Sequence, residues 1–169
     1  MPHLIKAYVR IVDRMSDYVG YLAAALIFLM VATLLLDAVT RNVLNIPIHW
    51  AIEFTQFTLA AYYFMGGPIT LKNNTHVRMD LWYANLSDRG KARLDLVTVW
   101  CMIFYLGVML FGSISSLQYA IETNERRFSM WNPSTIPIKA LLTVCLVLML
   151  LQAFALVFKH VATLRGERL

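Results

Sequence analysis

Trp50-Ala51-Ile52-Glu53 opens the stretch whose reading decides the fold. An uncharged run from Phe54 to Leu71 follows, and Asn74-Thr75-His76-Val77-Arg78-Met79-Asp80 closes it. At about 1.5 Å of rise per residue the middle is long enough to cross a lipid core as a helix. This predicts a span over residues 48–71 with polar residues at both ends: Glu53 just inside its start, and His76, Arg78 and Asp80 just past its end. A carboxylate in lipid is unfavourable unless it is paired or protonated. Gln56 lies three positions on and shares the face of Glu53, so that face should turn toward protein. Arg41, across a short connection, is the expected partner of Glu53; the functional alternative is a proton or ion site. Trp50 sits where an interfacial aromatic anchor belongs. Pro47 suits the first turn of this helix, and Gly66-Gly67-Pro68 should kink or loosen its last turn.

Three further apolar runs flank this one. The first span covers residues 18–40, uncharged from Tyr18 to Leu36, with Gly20 and Ala24 as a small-residue pair that lets another helix approach. Asp37 and Arg41 follow at i, i+4 spacing and can pair on one face. Ahead of this span, residues 1–17 mix Lys6, Arg10, Asp13, Arg14 and Asp17 with apolar positions. They read either as a short amphipathic helix on the membrane surface or as a frayed terminus. The third span, 96–121, is longer than a vertical helix needs, so it should tilt or project. Gly112, Ser116 and Ala120 recur every fourth residue along it as a small-residue seam. The fourth span, 138–158, has Gln152 as its one strongly polar interior residue.

The connections are polar and short. Between the second and third spans, Val77, Met79, Leu81, Trp82, Tyr83 and Leu86 have helix-like spacing among basic residues, which predicts a short interfacial helix, with Ser87-Asp88 capping the helix that follows. His76 reads as a surface hydrogen-bonding residue, because no second metal ligand lies near it at usable spacing. Before the fourth span, Phe128 and Trp131 read as interface anchors, and Pro133 and Pro137 should stop the helix and set an extended re-entry.

Composition agrees with this block pattern. Of 169 residues, 59% are hydrophobic and 15% charged, with a mean hydropathy of +0.61. A soluble domain of this length is usually about a quarter charged. The class is therefore an all-α polytopic membrane protein of four helices in one membrane domain, residues 1–169. The net charge of +5 would suggest nucleic acid on a soluble chain. Here the basic residues flank apolar runs and set orientation against anionic lipid instead. Cys101 and Cys145 lie inside apolar runs and read as small buried hydrophobes. No cleavable signal peptide is evident, and the first apolar run should stay as an anchor.

Four spans place both termini on one side. Lys and Arg concentrate in the leader, the central loop and the tail; the other two connections hold only Arg41, Arg126, Arg127 and Lys139. The positive-inside rule then puts both termini and the His76 loop in the cytoplasm, with Glu53 toward the outer face. The membrane centres are almost purely apolar, whereas a transporter acting alone normally carries interrupted helices and mid-membrane polar groups. His3, His49, His76 and His160 fall outside the spans or at their rims, where they cannot serve as axial haem ligands. No catalytic triad, phosphate loop, metal site or cofactor motif is present in the sequence. Such a chain reads as a non-catalytic subunit.

Arg41, Trp50-x-x-Glu53, the apolar span ending in Gly-Gly, and His76-Val77-Arg78-Met79-Asp80 together resemble the small membrane subunit, of DctQ type, of tripartite ATP-independent periplasmic (TRAP) transporters. The resemblance extends over nearly the whole chain, including the proline-bearing loop and Gln152. One departure is local: family members often carry a glycine soon after the proline that opens the fourth span, where this chain reads Pro137-Ile138-Lys139. The resemblance implies a scaffold in the bacterial inner membrane. It would pair with a much larger membrane subunit that carries solute and sodium, while a periplasmic solute-binding protein delivers a solute of organic-acid type. Arg41, Trp50 and Glu53 would fix the outer end of the helix packing, and His76, Arg78 and Asp80 the cytoplasmic turn, with membrane lipids around the rims. The rival reading is a self-sufficient four-span, proton-coupled exchanger in which Glu53 titrates. A membrane thiol oxidoreductase is disfavoured, because both cysteines lie within spans rather than in outer loops.

Overall fold

A computed structural model describes residues 3–73, 88–129 and 131–165. The four apolar runs become four α-helices: α1 His3–Val43, α2 His49–Lys72, α3 Asp88–Glu122 and α4 Ile136–Arg165. Three of them, α1, α3 and α4, are long and apolar enough to cross a membrane. The second is long enough at 24 residues, but its threonines, Glu53 and Gln56 make it more polar. That composition matches its place in the bundle, since α2 packs against both α1 and α4. Its buried positions are Ala51, Thr55, Thr58, Met65, Pro68 and Leu71, a stripe at helical spacing. Thr55 and Thr58 donate to the carbonyls of Ala51 and Phe54, each at 2.8 Å, which satisfies their hydroxyls inside the helix.

Two glycines seat α2 between its neighbours. A methyl group at Gly20 of α1 would collide with the side chain of Ile69, and one at Gly67 would lie 2.7 Å from the Met149 sulfur of α4. Gly20 thus makes the close approach expected of it, but Ala24, its expected companion, is exposed, and Ala23 is buried instead. The kink or loosening expected at Gly66-Gly67-Pro68 does not end the helix. The helix runs on through a buried Pro68 to Lys72, losing only the N–H that would have bonded the Phe64 carbonyl.

The last two helices pack along a regular seam. Among the described residues of α3, Val99, Leu106, Ser113 and Ala120 are buried and recur every seventh position, the spacing of left-handed helix pairs. Leu146, Ala153 and Leu156 of α4 join Val99, Leu106 and Leu71 in one apolar core, and Ser113 shares a 2.7 Å hydrogen bond with Thr143. The seam expected at Gly112, Ser116 and Ala120 is therefore corrected. Ala120 is buried, but Ser116 is exposed and Gly112 meets open space, because the inward stripe repeats at seven residues rather than four.

The leader is also corrected. Residues 3–43 form one unbroken helix of 41 residues, about 60 Å long, with no separate surface helix ahead of the span. Pro47 lies in the connector before α2, whose cap is Ile48. Asn45 turns the chain there with a left-handed φ of 53°, and Ile46 N–H returns to the Thr40 carbonyl at 3.1 Å.

Candidate functional site

The polar side chains gather at the two ends of the bundle. One end holds the start of α1 and the finish of α4; we call it the terminal end. The other holds the α1–α2 connector and the loop between α3 and α4, and is the loop end.

At the terminal end, Asp13 accepts two bonds from Lys159 Nζ, at 2.8 and 2.9 Å, and one from Gln152 Nε2 at 2.8 Å. The Gln152 carbonyl accepts from Ser16 Oγ at 3.1 Å, and both Ser16 and Gln152 are wholly buried. Tyr8 donates to the Leu151 carbonyl at 2.9 Å and meets the Phe158 ring edge-on. Lys72 of α2 pairs with Asp17 of α1. His160 of α4 faces Asp95 of α3 with Nδ1 3.9 Å from the carboxylate. Every helix is thus tied into this end by a polar contact. Gln152, conspicuous in the sequence as a lone polar residue, is the centre of the group. Its partners Asp13 and Ser16 carried no local signal, and neither did the Asp95–His160 approach.

At the loop end, residues 123–129 and 131–135 form a folded turn rather than an extended re-entry. Arg126 and Ser134 make an antiparallel bridge, Arg127 N–H bonds the Pro133 carbonyl at 3.1 Å, and Thr135 N–H bonds the Glu125 carbonyl at 3.1 Å. Asn124 and Asn132 take left-handed φ values of 47° and 49°, which asparagine tolerates better than most residues. Lys139, in the first turn of α4, pairs with Glu125. Pro137 sits in that first turn, so the helix starts normally without the glycine common in the family.

Glu53 belongs to this end. Its Oε2 accepts from Ser129 Oγ at 2.7 Å, while Arg41 pairs with Asp37 at 3.0 Å. The expected Arg41–Glu53 bridge does not form, because Asp37 is one turn away on the same helix and the folded loop delivers Ser129 to the carboxylate. Trp50 is half exposed, with its ring edge against Phe54 at 6.0 Å. Phe128 is fully exposed and Trp131 half so. Arg41, Trp50 and Glu53 thus share one end. His76, Arg78 and Asp80, together with the expected 77–86 helix, lie outside the described residues. Between the loop and α2 runs an open groove of about 470 Å³, lined by Gln56, Phe57, Ala60 and the loop residues Glu125 to Phe128.

Cys145 is buried and Cys101 exposed, so Cys101 departs from its expected burial. Among the described residues, no group of three or more His, Cys, Asp or Glu side chains converges as a metal site would require. Among the described residues, these polar groups join helices to one another and to the loop.

No curated protein and no solved structure matches the chain. A family model does, over residues 30–163: that of the tripartite ATP-independent periplasmic transporters, DctQ component. With most of its length matched, and with apolar helices arranged as described, the chain belongs to the DctQ family of TRAP transporter components.

Proposed function

We propose that this chain is the non-catalytic scaffold subunit of a sodium-coupled TRAP transporter, paired with a large membrane subunit that moves the solute. One observation carries the reading: among the described residues, Asp13, Ser16, Gln152 and Lys159 bond between helices at one end and Glu53 bonds the loop at the other, while the buried clusters of the bundle are apolar. A subunit built this way braces; among the described residues no cluster of polar groups offers a mid-membrane foothold for a solute. The exposed apolar faces of α1 and α3, which include Phe28, Phe104 and Phe111, would meet lipid and the large subunit. All four helices would span the bacterial inner membrane, with the terminal end in the cytoplasm by the positive-inside rule. The solute would be of organic-acid type, delivered by a periplasmic binding protein to the loop end. Arg41, Trp50 and Glu53 would steady the outer side, and His76, Arg78 and Asp80 the cytoplasmic turn.

The exchanger reading gains no support. Glu53 sits one turn into α2 against a loop serine, not in a central cavity. The test is reconstitution: proteoliposomes with the large subunit alone and with both subunits, loaded by the binding protein under a sodium gradient. Uptake is expected only with both. Full uptake by the large subunit alone would reject an essential role.

A further inference from the structure

We propose that the first turns of α1 form a binding site for an anionic phospholipid, with the headgroup phosphate on Arg10 and Arg14 and an acyl chain along Ile11, Met15, Tyr18 and Leu22. The inference rests on the chain being embedded in a membrane and is independent of its role as a scaffold.

The helix continuity found above creates the site. Because α1 runs unbroken from His3, the face bearing Val9, Val12 and Ser16 is buried in the bundle, and the opposite face is held outward in a fixed register. At 100° per residue, Arg10, Arg14, Tyr18, Ile11, Leu22 and Met15 fall within an arc of about 140°. Ile11 is 60% exposed, Met15 47%, Tyr18 70% and Leu22 54%. A shallow groove of about 220 Å³ is lined by Arg10, Ile11, Arg14, Met15 and Tyr18, so cationic and apolar walls meet in one depression. Tyr18 stands where the charged leader gives way to the uncharged span, the depth at which amphipathic rings collect.

Charge decides the headgroup. The two carboxylates next to this face are already engaged: Asp13 by Lys159 and Asp17 by Lys72. Arg10 and Arg14 are exposed and make no hydrogen bond or ion pair among the described residues. They lie one helical turn apart, so both guanidinium groups can reach a single phosphodiester, for which their planar forks suit bidentate bonding. A zwitterionic lipid brings its own cation to the same place; phosphatidylglycerol does not.

The full chain is reconstituted in nanodiscs of phosphatidylcholine containing one fifth phosphatidylglycerol, released into mild detergent, and its retained lipid counted by native mass spectrometry. Phosphatidylglycerol is expected to be enriched over its bulk share, and R10Q/R14Q to lower that enrichment at least about threefold. R126Q/R127Q removes the same charge from the loop end and is expected to leave the enrichment unchanged. Equal losses in the two variants would mean that total charge alone attracts the lipid, and would overturn the site. So would an undiminished enrichment in R10Q/R14Q. Displacement by millimolar glycerol 1-phosphate would show a site for free phosphoesters instead, and would overturn the assignment to lipid. Far-UV circular dichroism of each variant establishes that the helices are intact; should R10Q/R14Q not fold, R10K/R14K, which keeps charge but not the bidentate forks, is expected to show an intermediate loss.

Discussion

The terminal end and the loop end close the same bundle in opposite ways. At the terminal end, side chains from different helices bond directly across the interior, with Gln152 and Ser16 wholly buried between α1 and α4. At the loop end the helices are joined through connectors: Ser129 bridges to Glu53, and Lys139 holds Glu125. Buried bonds in a medium of low dielectric are stronger, and their loss is more costly, than bonds at a wetted rim. The terminal end should therefore dominate stability, and the loop end should be the easier one to change.

Four substitutions probe that contrast, each read by reversible denaturation of the purified chain in detergent. Asp13→Ala removes the carboxylate that accepts from Lys159 and the Gln152 amide and is expected to destabilise by about 2 kcal/mol, less than for a fully buried pair because both side chains keep some solvent. Gln152→Leu removes two hydrogen bonds but fills its space with apolar atoms, for a loss of about 1.5 kcal/mol. Ser129→Ala deletes the partner of a carboxylate at the rim, a loss of about 1 kcal/mol. Arg41→Gln breaks an i, i+4 pair whose arginine is half exposed, and should shift stability by about 0.4 kcal/mol. Should Ser129→Ala prove as damaging as Asp13→Ala, the two ends would be energetically equal and the contrast would fail. A double-mutant cycle on Asp13 and Lys159 sharpens it further. Coupling of about 1 kcal/mol is expected there, and close to none between Asp13 and Ser129, which lie at opposite ends.

Where local pattern governs the outcome, the sequence was readable. Apolar runs located all four helices, and Gly20 marked a close helix approach. The family followed from the run of residues between Arg41 and Asp80. What escaped depends on partners far along the chain. Asp13 and Asp17 look like a break between a surface helix and a span, yet Lys159 and Lys72 neutralise them from 146 and 55 residues away, and the helix carries straight through. Glu53 meets protein as expected, though Gln56 on the same face is exposed, and its partner comes from a loop 76 residues on, beyond any periodicity argument. The small-residue seam of α3 failed for a related reason. A four-residue repeat says which positions allow close approach, and only the packed neighbour decides which of them face inward.

The unbroken α1 has a mechanical meaning. It is one continuous helix of 41 residues, so it forms a lever about twice as long as the hydrocarbon layer is thick. A tilt of about 5° about its midpoint would carry each tip through roughly 2.6 Å, in opposite directions. A force applied on one side of the membrane would thus arrive on the other side with its direction reversed.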